Sequence, residues 1–149
     1  ETADAGERLK LIEMAIKGNK NFESSDIEIK NSRFAKSYTV DTLQSLSEQY
    51  KKDSVKFYLI IGMDNLIELH TWKEPEKLFS YAEVIVLNRP GYSVNDVKNN
   101  FVKQVRVMTV SNIDISSTSI RNKIKEKKSI KYLVSESVEK YILENKLYI

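Results

Sequence analysis

Four hydroxyl side chains and an arginine lie within residues 116–121, and this is the stretch of the chain best suited to chemistry. The apolar spacing that follows predicts a helix beginning here, with Ser117 and Thr118 in its first turn and Arg121 one turn later. Unpaired backbone N–H groups and the positive end of the helix dipole favour an anion at such a position. The planar guanidinium of Arg121 suits phosphate oxygens. The pattern therefore indicates a phosphate site, with ordinary helix capping and a solvent-exposed arginine as the alternative.

Two further groups follow predicted strands directly. Gly62 would let the backbone approach a ligand, and the carboxylate of Asp64 could accept hydrogen bonds from ribose hydroxyls. A plain turn in which Asp64 caps the next helix is the alternative. Arg89 precedes a proline and a glycine that turn chemistry explains completely, which leaves the arginine as the residue that could meet a phosphate.

A third group combines a helix start with an aromatic side chain. Tyr38 and Thr39 stand where a predicted helix begins, and the free N–H groups there suit a carboxylate. Trp72 is the only tryptophan and lies in a polar stretch, where its flat face could stack on a pyridine or purine ring. Lys73 could add positive charge. The alternatives are local capping by Thr39, a hydrophobic lid formed by Trp72 and a solvated Lys73.

Strands alternating with helices predict a parallel α/β sheet, whose ligands lie beyond the carboxyl ends of the strands. The predicted strands are residues 22–29, 55–61, 83–88 and 105–110. The apolar end of 55–61 predicts a strand buried on both faces. Leu9, Ile12 and Ile16 predict the apolar face of an opening helix. Two further helices are predicted at residues 40–50 and 66–69. Another is predicted to begin at Pro75, one is predicted to begin after a capping Ser93, and two more are predicted after residue 115.

Composition narrows the class of protein. A chain of 149 residues, 41% apolar and 30% charged, is typical of one globular domain. The net charge of +3 does not argue for nucleic acid, and no apolar run is long enough to cross a membrane. Because the sequence has no cysteine, it has neither disulfides nor thiolate metal sites, which is compatible with a cytoplasmic location.

Five blocks, in order, resemble the bacterial nicotinate-nucleotide adenylyltransferases of the nucleotidylyltransferase superfamily. Residues 115–121 resemble the ISSTxxR signature, and the others resemble the SYTxDTL, IIGxD…WK and RPGY segments and the C-terminal tail. The SYTxDTL segment corresponds to residues 37–43, the IIGxD…WK segment to 60–64 with 72–73, and the RPGY segment to 88–92. The C-terminal tail corresponds to 129–134 with 138–148.

The resemblance implies a Rossmann-like parallel sheet with helices on both faces, a helical C-terminus and a single nucleotidyltransferase domain over residues 1–149. It implies adenylyl transfer from ATP to nicotinate mononucleotide in NAD biosynthesis, with Mg²⁺ held mainly by the ATP phosphates, and it allows a homo-oligomer. The implied ATP-binding residues are Gly62, Asp64, Arg89, Ser117, Thr118 and Arg121, of which Thr118 and Arg121 are catalytic. The implied mononucleotide-binding residues are Tyr38, Thr39, Trp72 and Lys73.

The sequence departs from the superfamily in one respect. The glycine-rich HxGH segment, whose histidines stabilise the triphosphate, is not found, and the single His70 does not match it. We therefore expect an N-terminally incomplete domain that lacks a strand–helix–strand and does not turn over alone. Two other functions stay open: a module that only binds nucleotide, and a related enzyme acting on nicotinamide mononucleotide or phosphopantetheine. The missing HxGH favours the first, and the Tyr38 and Trp72 segments argue against the second.

Overall fold

A computed structural model describes residues 2–32, 36–51, 53–88, 91, 94–111, 113 and 115–149. The chain forms two compact units. We call Phe34–Asn112 the sheet unit, and Glu1–Arg33 together with Ile113–Ile149 the helical unit. The single domain expected over residues 1–149 stays a prediction.

The sheet unit is built on three parallel strands. They are β1 (Phe57–Gly62), β2 (Ala82–Leu87) and β3 (Arg106–Met108), in the spatial order β1-β2-β3. Phe57 lies opposite Ala82. On the other side of β2, Ile85 lies opposite Arg106. The α-helices are α1 (Ala5–Ile16), α2 (Ile27–Ser32), α3 (Thr39–Gln49), α4 (Met63–Glu68), α5 (Pro75–Tyr81), α6 (Ser117–Lys125) and α7 (Glu136–Glu144). The predicted parallel sheet flanked by helices is confirmed.

Each unit has its own core. In the sheet unit, alternate residues of β2 point inward, and Val84 and Val86 are fully buried against helix residues such as Leu66 and Leu78. Burying a side chain of this size is worth about 1.5–3 kcal/mol. In the helical unit the buried residues are Ile124, Ile130, Val138 and Ile142, with Leu11 and Met14 packed against them. These two clusters hold the starts of α3, α4 and α6 in place.

The strand predicted over residues 22–29 is wrong, because its second part forms α2. The N–H of Ile27 donates to the hydroxyl of Ser25 at 3.3 Å, and Lys30 pairs with Asp26 at 2.9 Å. Capping and an i,i+4 ion pair favour a helix, and they outweigh an alternation of only two isoleucines.

Burial on both faces of the second predicted strand is also wrong. Tyr58 is 50% exposed and Ile60 is 60% exposed, whereas Ile61 is buried. Within the described residues β1 pairs only with β2, so it lies at an edge of this sheet. The opening helix is confirmed as α1, but Ile12 on its predicted apolar face is 51% exposed. Leu11 and Met14 pack on the core.

The segment after β2 differs from the expected helix. Ser93, its predicted cap, lies outside the described residues. Two short 3-10 helices follow, Val94–Asp96 and Asn100–Lys103. The side chain of Asn99 caps the second one by accepting from the N–H of Phe101 at 3.1 Å, and its amide donates to the carbonyl of Leu66 at 2.8 Å. This asparagine therefore ties the segment to the end of α4.

Candidate functional site

A cavity of about 290 Å³ lies at the start of α3. Its walls are residues 36–40 on one side and residues 71–73 on the other. The cavity brings together Tyr38, Thr39, Trp72 and Lys73, the four residues that the sequence assigned to one substrate. More than thirty positions of sequence separate the two walls, so the fold of the sheet unit creates this site.

The start of α3 is suited to an anion. Tyr38 is the N-cap residue and makes no side-chain cap hydrogen bond, while Thr39 is the first helical residue. The positive end of the helix therefore faces the cavity without a capping side chain from this residue. Ser37, which also lines the cavity, has a buried hydroxyl oxygen without a partner among the described residues. A buried polar atom of this kind typically costs about 1–3 kcal/mol until a partner is supplied.

Trp72 has two environments. It follows the 3-10 helix Leu69–Thr71, and its backbone N–H donates to the carbonyl of Leu69 at 3.1 Å. Part of the indole packs against the core of the sheet unit, and part lines the cavity. The expected lid over a hydrophobic cluster and the expected aromatic wall of a binding site are therefore both compatible with its position.

Lys73 is held by two side chains at the start of α3, Asp41 and Tyr38. Its ammonium donates to both carboxylate oxygens of Asp41 at 2.8 Å and lies 5.0 Å from the centre of the Tyr38 ring. The hydrogen bond to Asp41 raises the pKa of the Lys73 ammonium above its ordinary value. A second ammonium, that of Lys36, lies 5.5 Å from the same ring. Asp41 is not among the predicted site residues, although it is part of the segment 37–43 and is an acidic residue in a first helical turn.

The start of α6 carries three of the predicted phosphate-binding residues, Ser117, Thr118 and Arg121. Ser116 is the N-cap, and its hydroxyl accepts from the N–H of Ser119 at 3.1 Å. Ser117 and Thr118 are therefore not needed for capping, and both are exposed. The guanidinium of Arg121 donates to the hydroxyl of Thr118 at 3.1 Å. A cavity of about 440 Å³ beside this turn includes Thr118, but not Ser117 or Arg121.

Gly62 and Asp64 lie at the carboxyl end of β1, where the sequence predicted them. Gly62 is the N-cap of α4 with a φ of −80°, a value that any residue adopts. A glycine is needed here for lack of space, because a Cβ at this position would overlap the carboxylate of Asp64. Gly62 therefore allows the Asp64 side chain to fold back over the strand end.

The remaining expectations concern single residues and metal ligands. Arg89 lies outside the described residues. His70 is exposed, and its Nδ1 lies 3.0 Å from the carbonyl oxygen of Ile67. Among the described residues, no three histidine, aspartate or glutamate side chains form a group that could hold a metal ion. None of the helices that the structure describes is long and apolar enough to span a bilayer.

Comparison with known proteins places these features in a family. The sequence profile described as cytidylyltransferase-like matches residues 1–123. A protein of Clostridium novyi is 37% identical over 97% of this chain and 74% of its own length. A protein of Cytophaga hutchinsonii is 41% identical over 95% of this chain and 71% of its own length. Both are named probable nicotinate-nucleotide adenylyltransferase.

The fold has a close counterpart among solved structures. Plasmodium falciparum nicotinic acid mononucleotide adenylyltransferase complexed with NaAD superposes with a TM-score of 0.72 at 19% identity. The match covers 99% of this chain and 76% of that protein. At this identity the likeness concerns the fold, which is Rossmann-like. The profile match and the relatives above 35% identity show that the chain belongs to the cytidylyltransferase-like family of nucleotidyltransferases and, within it, to the nicotinate-nucleotide adenylyltransferases.

Proposed function

We propose that the protein transfers the adenylyl group of ATP to nicotinate mononucleotide, giving nicotinate adenine dinucleotide and pyrophosphate, a step of NAD biosynthesis. The observation that carries the proposal is the cavity in which Trp72 lies across from the start of α3, where Tyr38 makes no side-chain cap hydrogen bond. An aromatic plane and a cluster of backbone donors are the two features that a pyridine carboxylate needs.

In this proposal the nicotinate ring stacks on Trp72 and its carboxylate lies at Tyr38 and Thr39. The cavity volume of about 290 Å³ suits the pyridine ring and its carboxylate rather than a whole nucleotide. A neutral carboxamide would gain less from the helix dipole than a carboxylate does. The site should therefore prefer nicotinate mononucleotide to nicotinamide mononucleotide.

The ATP side of the proposal uses the other predicted residues. Arg121, Thr118 and Ser117 bind phosphate oxygens at the start of α6, and Arg89 adds a cation. Gly62 and Asp64 meet the ribose. The donors of α6 are hydroxyls, N–H groups and a guanidinium, which bind anions. We therefore propose that the divalent cation, Mg²⁺, is held by the phosphates themselves, where it would neutralise their charge.

The reaction needs little covalent chemistry from the protein. A phosphate oxygen of the mononucleotide attacks the α-phosphorus of ATP, the new P–O bond forms, and the bond to pyrophosphate breaks. The described residues position the two substrates and stabilise negative charge on the phosphates, and such effects dominate catalysis of transfers of this kind.

Calorimetry with the two mononucleotides, followed by a pyrophosphate-release assay, tests the proposal. We expect tighter binding of nicotinate mononucleotide, and pyrophosphate release that depends on it. Equal affinity for the two mononucleotides would contradict the assigned carboxylate site. Binding without release in every polypeptide that contains residues 1–149 would favour a module that only binds nucleotide. Release that depends on phosphopantetheine or nicotinamide mononucleotide would favour a related adenylyltransferase.

A further inference from the structure

The two walls of the 290 Å³ cavity are joined by an ion pair between Lys73, which lines the cavity, and Asp41, which does not. Asp41 does not line the cavity and lies in the first turn of α3. Its carboxylate accepts both hydrogen bonds from Lys73 of the opposite wall, each at 2.8 Å. This ion pair therefore holds the turn containing Trp72 at a defined distance from the start of α3.

The contacts of Lys73 leave it little capacity for a ligand. An ammonium has three N–H donors, and two of them are used by the carboxylate of Asp41. The face of the Tyr38 ring lies on another side, 5.0 Å from the nitrogen. The positive charge is also compensated by the adjacent carboxylate. Lys73 is thus suited to the wall of the cavity rather than to direct binding of an anion.

We propose that Asp41 is a positioning residue that determines the width of the mononucleotide cavity through Lys73. It keeps the indole of Trp72 at stacking distance and leaves the nicotinate carboxylate to the N–H groups of α3. The ligand in this statement rests on the proposed function, whereas the link between Asp41 and the Trp72 turn does not.

The first test needs no ligand. Because Trp72 is the only tryptophan, its fluorescence reports on this wall alone. Asp41→Asn should make acrylamide quenching faster and lower the anisotropy, and Asp41→Glu should restore most of both values. Glu83→Gln is the matched control, since it breaks the 2.7 Å pair between Lys56 and Glu83 in the same unit without touching the cavity. Identical quenching in Asp41→Asn and wild type would overturn the proposal.

The second test measures binding of nicotinate and nicotinamide mononucleotides. Asp41→Asn and Lys73→Met should each weaken both ligands by about five- to tenfold, because preorganisation of the ring site is lost. The double variant should bind each mononucleotide no more weakly than the weaker-binding single variant does, as expected for residues that act through one contact. Thermal midpoints confirm that each variant is folded at the temperature of measurement.

Two results of this test would overturn the proposal. One is a Lys73→Met variant that loses affinity only for the nicotinate form, which would make Lys73 a direct partner of the carboxylate. The other is unchanged or tighter binding in Asp41→Asn. If the wild type binds neither mononucleotide, the proposed function fails instead, and the fluorescence measurement still decides the role of Asp41.

Discussion

Replacing Trp72 with alanine should affect ligand binding and stability by separable amounts. Stacking of an aromatic side chain on a base is worth about 1–3 kcal/mol, so affinity for nicotinate mononucleotide should fall by a factor of about 5 to 150. The indole also packs partly on the core of the sheet unit. Full truncation of a buried tryptophan costs about 3–5 kcal/mol, and a half-buried one should cost roughly half of that. Calorimetry well below the thermal midpoint measures the first effect, and urea unfolding measures the second.

Two variants separate stacking from core packing. Trp72→Phe keeps an aromatic plane and should retain most of the affinity. Phe79→Leu should lower stability without changing affinity, because Phe79 packs on the same core and stacks on Phe101 but does not line the cavity. ATP affinity should change little in all three variants. If Trp72→Ala binds nicotinate mononucleotide as tightly as wild type does, the ring does not stack on this residue and the reasoning is refuted.

The remaining predictions concern phosphate binding and pH. In a polypeptide that also contains an HxGH segment, Arg121→Ala should raise the KM for ATP through loss of charge-assisted hydrogen bonds, each worth about 1.5–3 kcal/mol, and Arg121→Lys should recover only part of the loss. A lysine variant with wild-type kinetics would contradict the bidentate role. The hydrogen bond from Lys56 lowers the pKa of Glu83 below its ordinary value of 4.5. This pair therefore stabilises the fold above that value, and its contribution disappears as the pH falls through the lowered pKa. The thermal midpoints of wild type and Glu83→Gln should differ near neutral pH and converge in acid; a constant difference would contradict the assignment.

The sequence predicted the parts of the structure that depend on local signals. Pro75 begins α5 because its fixed φ and missing N–H suit the first helical position. Val40 and Leu43 are buried as their helical spacing requires. The segments 37–43 and 72–73 could be assigned to one ligand by resemblance, and the cavity is lined by residues 37–40 of the first segment and by both residues of the second. The roles of these residues in binding stay predictions.

The failures arose where a distant partner or a cap decides the outcome. Asp41 was overlooked because its partner, Lys73, lies 32 positions away and no periodicity connects them. Leu11, and not the predicted Ile12, packs on the core. The reason is that α1 packs on α7, a contact that the local sequence pattern does not specify. The two isoleucines of residues 22–29 alternate as in a strand, but the hydrogen bond from the N–H of Ile27 to the Ser25 hydroxyl favours a helix instead.

The helical unit is discontinuous in sequence, and this has a consequence for the order of folding. Lys10 donates to the hydroxyl of Tyr141 at 2.8 Å, and that hydroxyl donates to Glu7 at 2.8 Å. Contacts between residues so far apart carry a large loop-closure cost until the intervening chain is compact. The sheet unit is continuous and should therefore fold first, and α1 and α7 should pair with each other afterwards.

Pulse-labelled hydrogen exchange should accordingly protect the amides of β2 before those of α1, and simultaneous protection would contradict this order. Because α6 belongs to the later unit, a ribosome-bound chain would complete the cavity at Trp72 before Arg121 is in place. If the proposed binding roles of Trp72 and Arg121 hold, the nascent protein should then bind the pyridine nucleotide before it binds ATP.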